Sequence, residues 1–226
     1  MKIYLLLFFA LGFMASCSPK RYITQDYHKY ARSHKKIAVL PYENYYTGRL
    51  PKDMTEEEVI ELQENESKLF QRSLYFQLLE ESRDIKKGDI YVSIQNVDDT
   101  NSLLADAGLS IQDSWKERPS KLAQILGVDA VVKIDMHKNF WLSNGESAAV
   151  NIATTIAGAV IPGVNTFRLG RTSEIYINAN LIDADAGVSL WAWNRKIDTD
   201  WQCETDEAIS RVNHQISKRF PYRRDL

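Results

Sequence analysis

Hydrophobic and polar positions change period several times along the chain, and each change predicts an element. Residues 36–42 (KIAVLPY) are a compact apolar run with β-branched side chains, ended by Pro41 and by turn-forming Glu43, Asn44 and Gly48, and they read as a central strand. Thr55 with Glu58 three residues on forms a capping box, and a long helix follows with Val59, Leu62, Leu69, Phe70, Leu74 and Leu78 on its apolar stripe. Ile90, Val92, Ile94 and Val97 alternate loosely, which predicts a second strand over 89–97 followed by a charged loop, 98–118. Pro119 suits a first helical turn, Leu122, Ile125 and Leu126 supply a buried face, and Gly127 is placed to end that helix in the left-handed conformation. Residues 129–136 (DAVVKIDM) are a third strand. Over 174–182, Ile175, Ile177, Ala179 and Leu181 alternate with Tyr176, Asn178 and Asn180, so this strand belongs to a sheet with one buried and one more polar face. A hairpin connection at 183–187 returns the chain as a strand over 188–197 with Trp191 and Trp193 on one side. A last helix, 205–220, turns Ala208, Ile209, Val212, Ile216 and Phe220 inward. The pattern predicts one α/β (α+β) domain over 36–220, a mixed sheet with helices packed on it.

The N-terminus differs from the rest. Lys2 precedes an apolar run from Ile3 to Met14, which has the length of a secretory signal core and falls short of the about 20 apolar residues of a membrane-spanning helix. Small residues stand just before a cysteine in Phe13, Met14, Ala15, Ser16 and Cys17, which resembles the lipobox of bacterial lipoprotein precursors, with Met14 where that family prefers Leu. The resemblance implies a signal peptide over 1–16, cleavage before Cys17 and acylation of that cysteine. Buried methylenes at about 0.8 kcal/mol each would make such an anchor durable. Ser18 in place of Asp suggests, by enterobacterial sorting habit, the outer membrane with the domain facing the periplasm. Residues 17–35 read as the lipidated end and a short tether, and the eighteen residues from 18 to 35 reach at most about 60 Å.

Between the strands, residues 147–163 (SAAVNIATTIAGAVIPG) carry no charge. Three readings stay open for this insertion: an element packed on the domain's own sheet, a self-association surface, or a segment in contact with the bilayer. Ile152, Ile156, Val160 and Ile161 are its candidate interface residues, to which Trp191 and Trp193 are added as aromatics that are core formers first and interface anchors second.

Of 226 residues, 44% are hydrophobic and 26% charged, which is an ordinary globular balance. The 28 basic and 30 acidic residues are interspersed, so no basic field is set up to hold nucleic acid. With Cys17 lipidated, Cys203 has no partner left in the chain and reads as a structural thiol. Two of the four histidines, His28 and His34, fall in the tether, His137 reads as a solvated strand-end residue, and no phosphate loop, metal spacing or nucleophile elbow accompanies His214. Glu56, Glu57, Glu58, Glu61 and Glu64 read as a solvated face at a helix N-terminus, and Asp183 with Asp185 as turn chemistry. No catalytic residue, metal site or cofactor is expected.

The order of elements, with residues 36–44, the stretch 122–132 (LAQILGVDAVV) and the 183–191 hairpin, resembles the domain shared by the N-terminal part of TolB, the penicillin-binding-protein activator LpoB and the curli secretion lipoprotein CsgG. It covers most of 36–220. The resemblance implies a non-enzymatic factor, held to a membrane by lipid on Cys17, that binds another envelope protein or itself. A self-assembling channel component of the CsgG kind is the alternative; an envelope hydrolase is a distant third.

Overall fold

The apolar alternation of residues 130–140 and 173–183 produces the centre of the sheet, where β5 (Ala130–Phe140) and β6 (Ser173–Asp183) pair antiparallel along their whole length, from Ala130 opposite Asp183 to Phe140 opposite Ser173. The computed structural model describes residues 21–48, 55–83, 88–140, 173–199 and 205–224. β7 (Ser189–Thr199) continues antiparallel on β6, and β1 (Arg21–Ile23) closes that side, with Tyr22 opposite Ala192. On the other side β2 (Lys36–Val39) and β3 (Glu43–Gly48) both run parallel to β5, and β4 (Ser93–Ile94) runs parallel to β2. Parallel and antiparallel pairs thus share one sheet, of seven strands among the described residues.

One extra residue separates β2 from β3. Val39 lies opposite Val132 and Glu43 opposite Asp135, so Leu40, Pro41 and Tyr42 face only Lys133 and Ile134. Pro41 has no amide hydrogen for the ladder, and an irregularity there lets the strand continue past it. Glu43, Asn44 and Gly48, expected to form a turn, are therefore strand residues.

Helices cover both faces. α2 (Glu56–Glu80) begins at the expected capping box, in which the Glu58 amide donates to Thr55 Oγ1 at 3.2 Å and the Thr55 amide to Glu58 Oε2 at 2.7 Å. With α6 (Thr205–Lys218) it covers the face of Ile37, Val39, Val132, Ile134, Ile177, Leu181, Trp191 and Trp193. α3 (Val97–Asp106) and α5 (Pro119–Leu126) cover one end of the opposite face, around Ala38, Leu40, Val131 and Ile182, with α4 (Ile111–Lys116) beside them. Gly127 ends α5 at φ 61°, ψ 45°, as expected.

Four expectations are corrected. Residues 21–34 are not a free tether: β1 joins the sheet, and α1 (Tyr27–Ala31) buries Tyr27 and Ala31 in the main core. The strand expected over 89–97 is reduced to β4, because Asn96 caps a helix instead, its side chain accepting from the Asp98 amide at 2.8 Å. The charged loop 98–118 holds α3 and α4, the latter opened by a Ser110–Asp113 capping box. On α2 the buried stripe is Glu66, Ser67, Phe70, Gln71, Leu74 and Leu78, while Leu69 is exposed, since polar Gln71 earns its burial by donating to the Val39 carbonyl at 2.8 Å.

Candidate functional site: the open face of the sheet

Strand alternation sends every second side chain of β3, β5, β6 and β7 to the face turned away from α2 and α6, and α3 to α5 cover only one end of it. Beyond that cover the register lays out two cross-strand rows. One runs Glu43, Asp135, Asn178, Asn194; the next runs Tyr45, His137, Tyr176, Lys196. Tyr22 joins the same face from β1, opposite Ala192. Tyr22, Tyr45 and Tyr176 are 54%, 41% and 42% exposed, so three strands each present a tyrosine to solvent on one surface.

The polar groups of this face are matched to one another. Glu43 is buried and accepts from the Tyr45 hydroxyl and from Lys133 Nζ at 3.0 Å, and Lys133 also donates to the Trp115 carbonyl of α4 at 2.7 Å. Burial, and then the neighbouring Glu43 charge, hold the Asp135 carboxyl above the usual carboxylate range, against the weaker pull of Lys133. A hydrogen bond between Asp135 and Glu43 adds to that upward shift. The Tyr45 and His137 rings stack at 4.7 Å and 25°. Lys196 Nζ donates to Glu174 Oε1 at 2.5 Å and lies 5.3 Å from the Tyr176 ring centre, and the Tyr176 hydroxyl donates to Glu174 Oε2 at 3.0 Å. The Lys196 hydrogen bond, the largest influence, outweighs desolvation and, with help from the Tyr176 hydroxyl, lowers the Glu174 carboxyl.

Such a face has the make-up of a binding surface. It presents flat amphipathic rings and amides over pre-paired charges, the composition of a protein interface core, where tyrosine is enriched and unpaired charge is depleted. Among the described residues no three His, Cys, Asp or Glu side chains are placed to hold a metal ion.

Of the residues expected from sequence, Trp191 and Trp193 are buried to 0% and 1% in the main core, Trp191 edge-on to Phe220 at 5.8 Å; as surface anchors they are corrected, because their strand turns them under α6. His137 is exposed as expected but lies within β5, stacked on Tyr45, rather than past its end. Cys17, Ile152, Ile156, Val160, Ile161 and Cys203 lie outside the described residues. Tyr22, Tyr45, Glu43 and Asp135 were not singled out from the sequence; the polar side of the 174–182 alternation, Tyr176, Asn178 and Asn180, was the available signal for their face.

A second polar cluster is internal. His34 stands between the hydroxyl of Tyr222 and Asp183, whose Oδ1 is 2.8 Å from His34 Nε2, and all three side chains are buried. Burial pushes the Tyr222 phenol well above its ordinary range, so it keeps its proton. The cluster joins the N-terminal segment, the β6–β7 hairpin and the C-terminal segment.

No family model matches this chain, and no curated protein matches it by sequence. Solved structures resemble it at low identity. The lipoprotein GNA1162 of Neisseria meningitidis aligns at 15% identity and a TM-score of 0.43, over 80% of this chain and 94% of that one. The PelC dodecamer subunit of Paraburkholderia phytofirmans aligns at 11% and 0.43, over 89% and 95%. The LpoB C-terminal domain of Salmonella enterica aligns at 13% and 0.34, over 74% and 84%. A bacterial lipoprotein and the LpoB C-terminal domain are thus among the structures this chain resembles, while similarity to TolB or CsgG is not shown by these matches.

Proposed function

We propose that this chain is a lipid-anchored, non-enzymatic cell-envelope factor, exported by residues 1–16, acylated at Cys17, and docking a protein partner on its open sheet face. The observation that carries the docking is the surface of Tyr22, Tyr45 and Tyr176 over polar rows whose charges are already paired. A partner seated there desolvates ring and amide, and meets no isolated charge whose burial would cost several kcal/mol. The anchor is supported by the apolar run and the small residues before Cys17, and Ser18 supports the outer membrane with the domain in the periplasm.

Two measurements test the parts separately. Cys17→Ser should abolish incorporation of labelled palmitate and move the protein from the membrane to the soluble fraction; a variant that stays membrane-bound and labelled ends the anchoring. A photo-crosslinking residue at Tyr176 should give a discrete adduct in intact cells that the same group at Ser102 on α3 does not give, and Tyr45→Ala should weaken it. Equal adducts from both positions would remove the docking role from this face.

A further inference from the structure

The sheet takes hold of the chain very soon after Cys17. β1 pairs with β7 from Arg21 opposite Trp193 to Ile23 opposite Trp191, and the Thr24 amide extends the attachment by donating to the Leu190 carbonyl at 3.0 Å. Beyond it, Tyr27 and Ala31 are buried in the main core, and His34 is bonded to Asp183 and Tyr222. Only Ser18, Pro19 and Lys20 stand between Cys17 and Arg21. Whatever path they take, the four steps from Cys17 to Arg21 span at most about 14 Å, a small fraction of the reach of an eighteen-residue tether.

Acyl chains on Cys17 enter the bilayer from its head-group level, so that level lies within the same short span of β1. Tyr22 and Ile23, on opposite sides of the strand, are 54% and 38% exposed there. A tyrosine ring, apolar in its body and polar at its tip, suits the head-group region. β1 has no strand on its outer side among the described residues, and an open strand edge finds hydrogen-bond partners among water and head groups but none in hydrocarbon. Its backbone therefore sets the depth at the surface of the bilayer. Given acylation at Cys17, on which this orientation rests, we propose that the β1 edge of the sheet faces the membrane, with Tyr22 and Ile23 at the level of the phospholipid head groups. β7, β6, β5 and β3 follow in turn away from that edge. Four strand spacings put Tyr45 about 19 Å farther from the lipid than Tyr22. The open face thus stands upright on the membrane, and a partner seated on Tyr45 and Tyr176 meets it beside the bilayer.

Photo-crosslinking in intact cells grown on radioactive phosphate tests this on the full acylated chain. After illumination, a photo-crosslinking residue in place of Tyr22 or, in a second variant, of Ile23 should carry several times more phospholipid than the same group in place of Tyr45. Inserting a flexible Gly-Ser stretch of about twenty residues after Ser18, with a root-mean-square reach of about 25 Å, should bring the phospholipid yield at the edge down to the Tyr45 level and leave palmitate incorporation unchanged. Palmitate-labelled protein that takes up no more phospholipid at Tyr22 and Ile23 than at Tyr45, or whose uptake survives the insertion undiminished, overturns the orientation and leaves the anchor standing. A wild-type chain without palmitate removes the anchor, and the orientation with it.

Discussion

His34 Nε2 lies 2.8 Å from Asp183 Oδ1, with both side chains 5% exposed, so a residue from the N-terminal segment is tied to a hairpin 149 positions away. The Asp183 side chain also accepts from the Ala186 amide at 2.6 Å, and the other ring nitrogen of His34 meets the Tyr222 hydroxyl. Tyr222, kept a phenol by its burial, can donate to Nδ1, and the tautomer that matches it puts the ring proton on Nε2, facing Asp183 Oδ1. His34→Ala strands a buried carboxylate and a buried hydroxyl together, and should lower unfolding free energy by about 2–4 kcal/mol in urea titration. Asp183→Asn combined with it should cost less than the two single losses added, because they remove the same bond.

Asp135 and Asp129 should move stability with pH in opposite directions. Folding raises the Asp135 carboxyl, through burial first and Glu43 second, so its contribution is fully present below the unfolded value near 3.9 and is lost as pH rises through the higher folded value. At Asp129 burial pushes upward, but the Lys35 and Lys36 amides, donating to Oδ2 at 2.7 and 2.8 Å, outweigh it. Its contribution is present above the unfolded value and is lost as pH falls. Asp135→Asn should therefore gain on the wild type in thermal midpoint as pH climbs from about 4 toward neutral, whereas Asp129→Asn should fall behind the wild type as pH climbs from strongly acidic conditions up to about 4. Parallel curves for both variants and the wild type would contradict the two assignments.

Gly127 isolates a backbone effect. Its φ of 61° is left-handed, and a Cβ built there meets no atom within 4 Å, so substitution meets no steric neighbour. Gly127→Ala should cost about 1 kcal/mol in urea titration from backbone strain alone, and Gly127→Asn less.

Legibility of the fold followed the reach of the interactions. Strands β5, β6 and β7 and both long helices were readable because period and caps are local: Ile175, Ile177, Ala179 and Leu181 alternate, and Thr55 finds Glu58 within one turn. Residues 21–34 were not readable, since Tyr27 and Ala31 are core by virtue of β7, Tyr91 and Tyr222, far away in sequence. The open face was half legible. Alternation put Tyr176 with Asn178 and Asn180, but that Tyr45 stacks on His137 depends on the one-residue irregularity at Pro41 that sets the β3–β5 register. Glu66 and Gln71 replaced Leu69 inward for a similar reason, their polar partners lying on other elements.

Glu66 is where the stability of the fold and the presentation of the open face meet. Its carboxylate, 2% exposed on α2, takes the Lys138 ammonium from β5 and the Tyr46 hydroxyl from β3, while the Asn44 side chain donates to the Gln63 carbonyl at 2.9 Å. These contacts hold the core side of β3, and the alternation then fixes Glu43 and Tyr45 on the outer side. Removing Glu66 alone leaves Lys138 buried beside Tyr46 and Phe70 without its counter-ion, a loss of about 3–5 kcal/mol, whereas Glu66→Leu with Lys138→Met replaces both charges by apolar volume and should recover most of it. Because β3 pairs only with β5 among the described strands, Glu66→Ala should also speed hydrogen exchange at the amides of residues 43–48 more than at the β5–β6 ladder. Exchange accelerated equally in both places would mean the pair supports the whole domain and has no special hold on the strand that carries Tyr45.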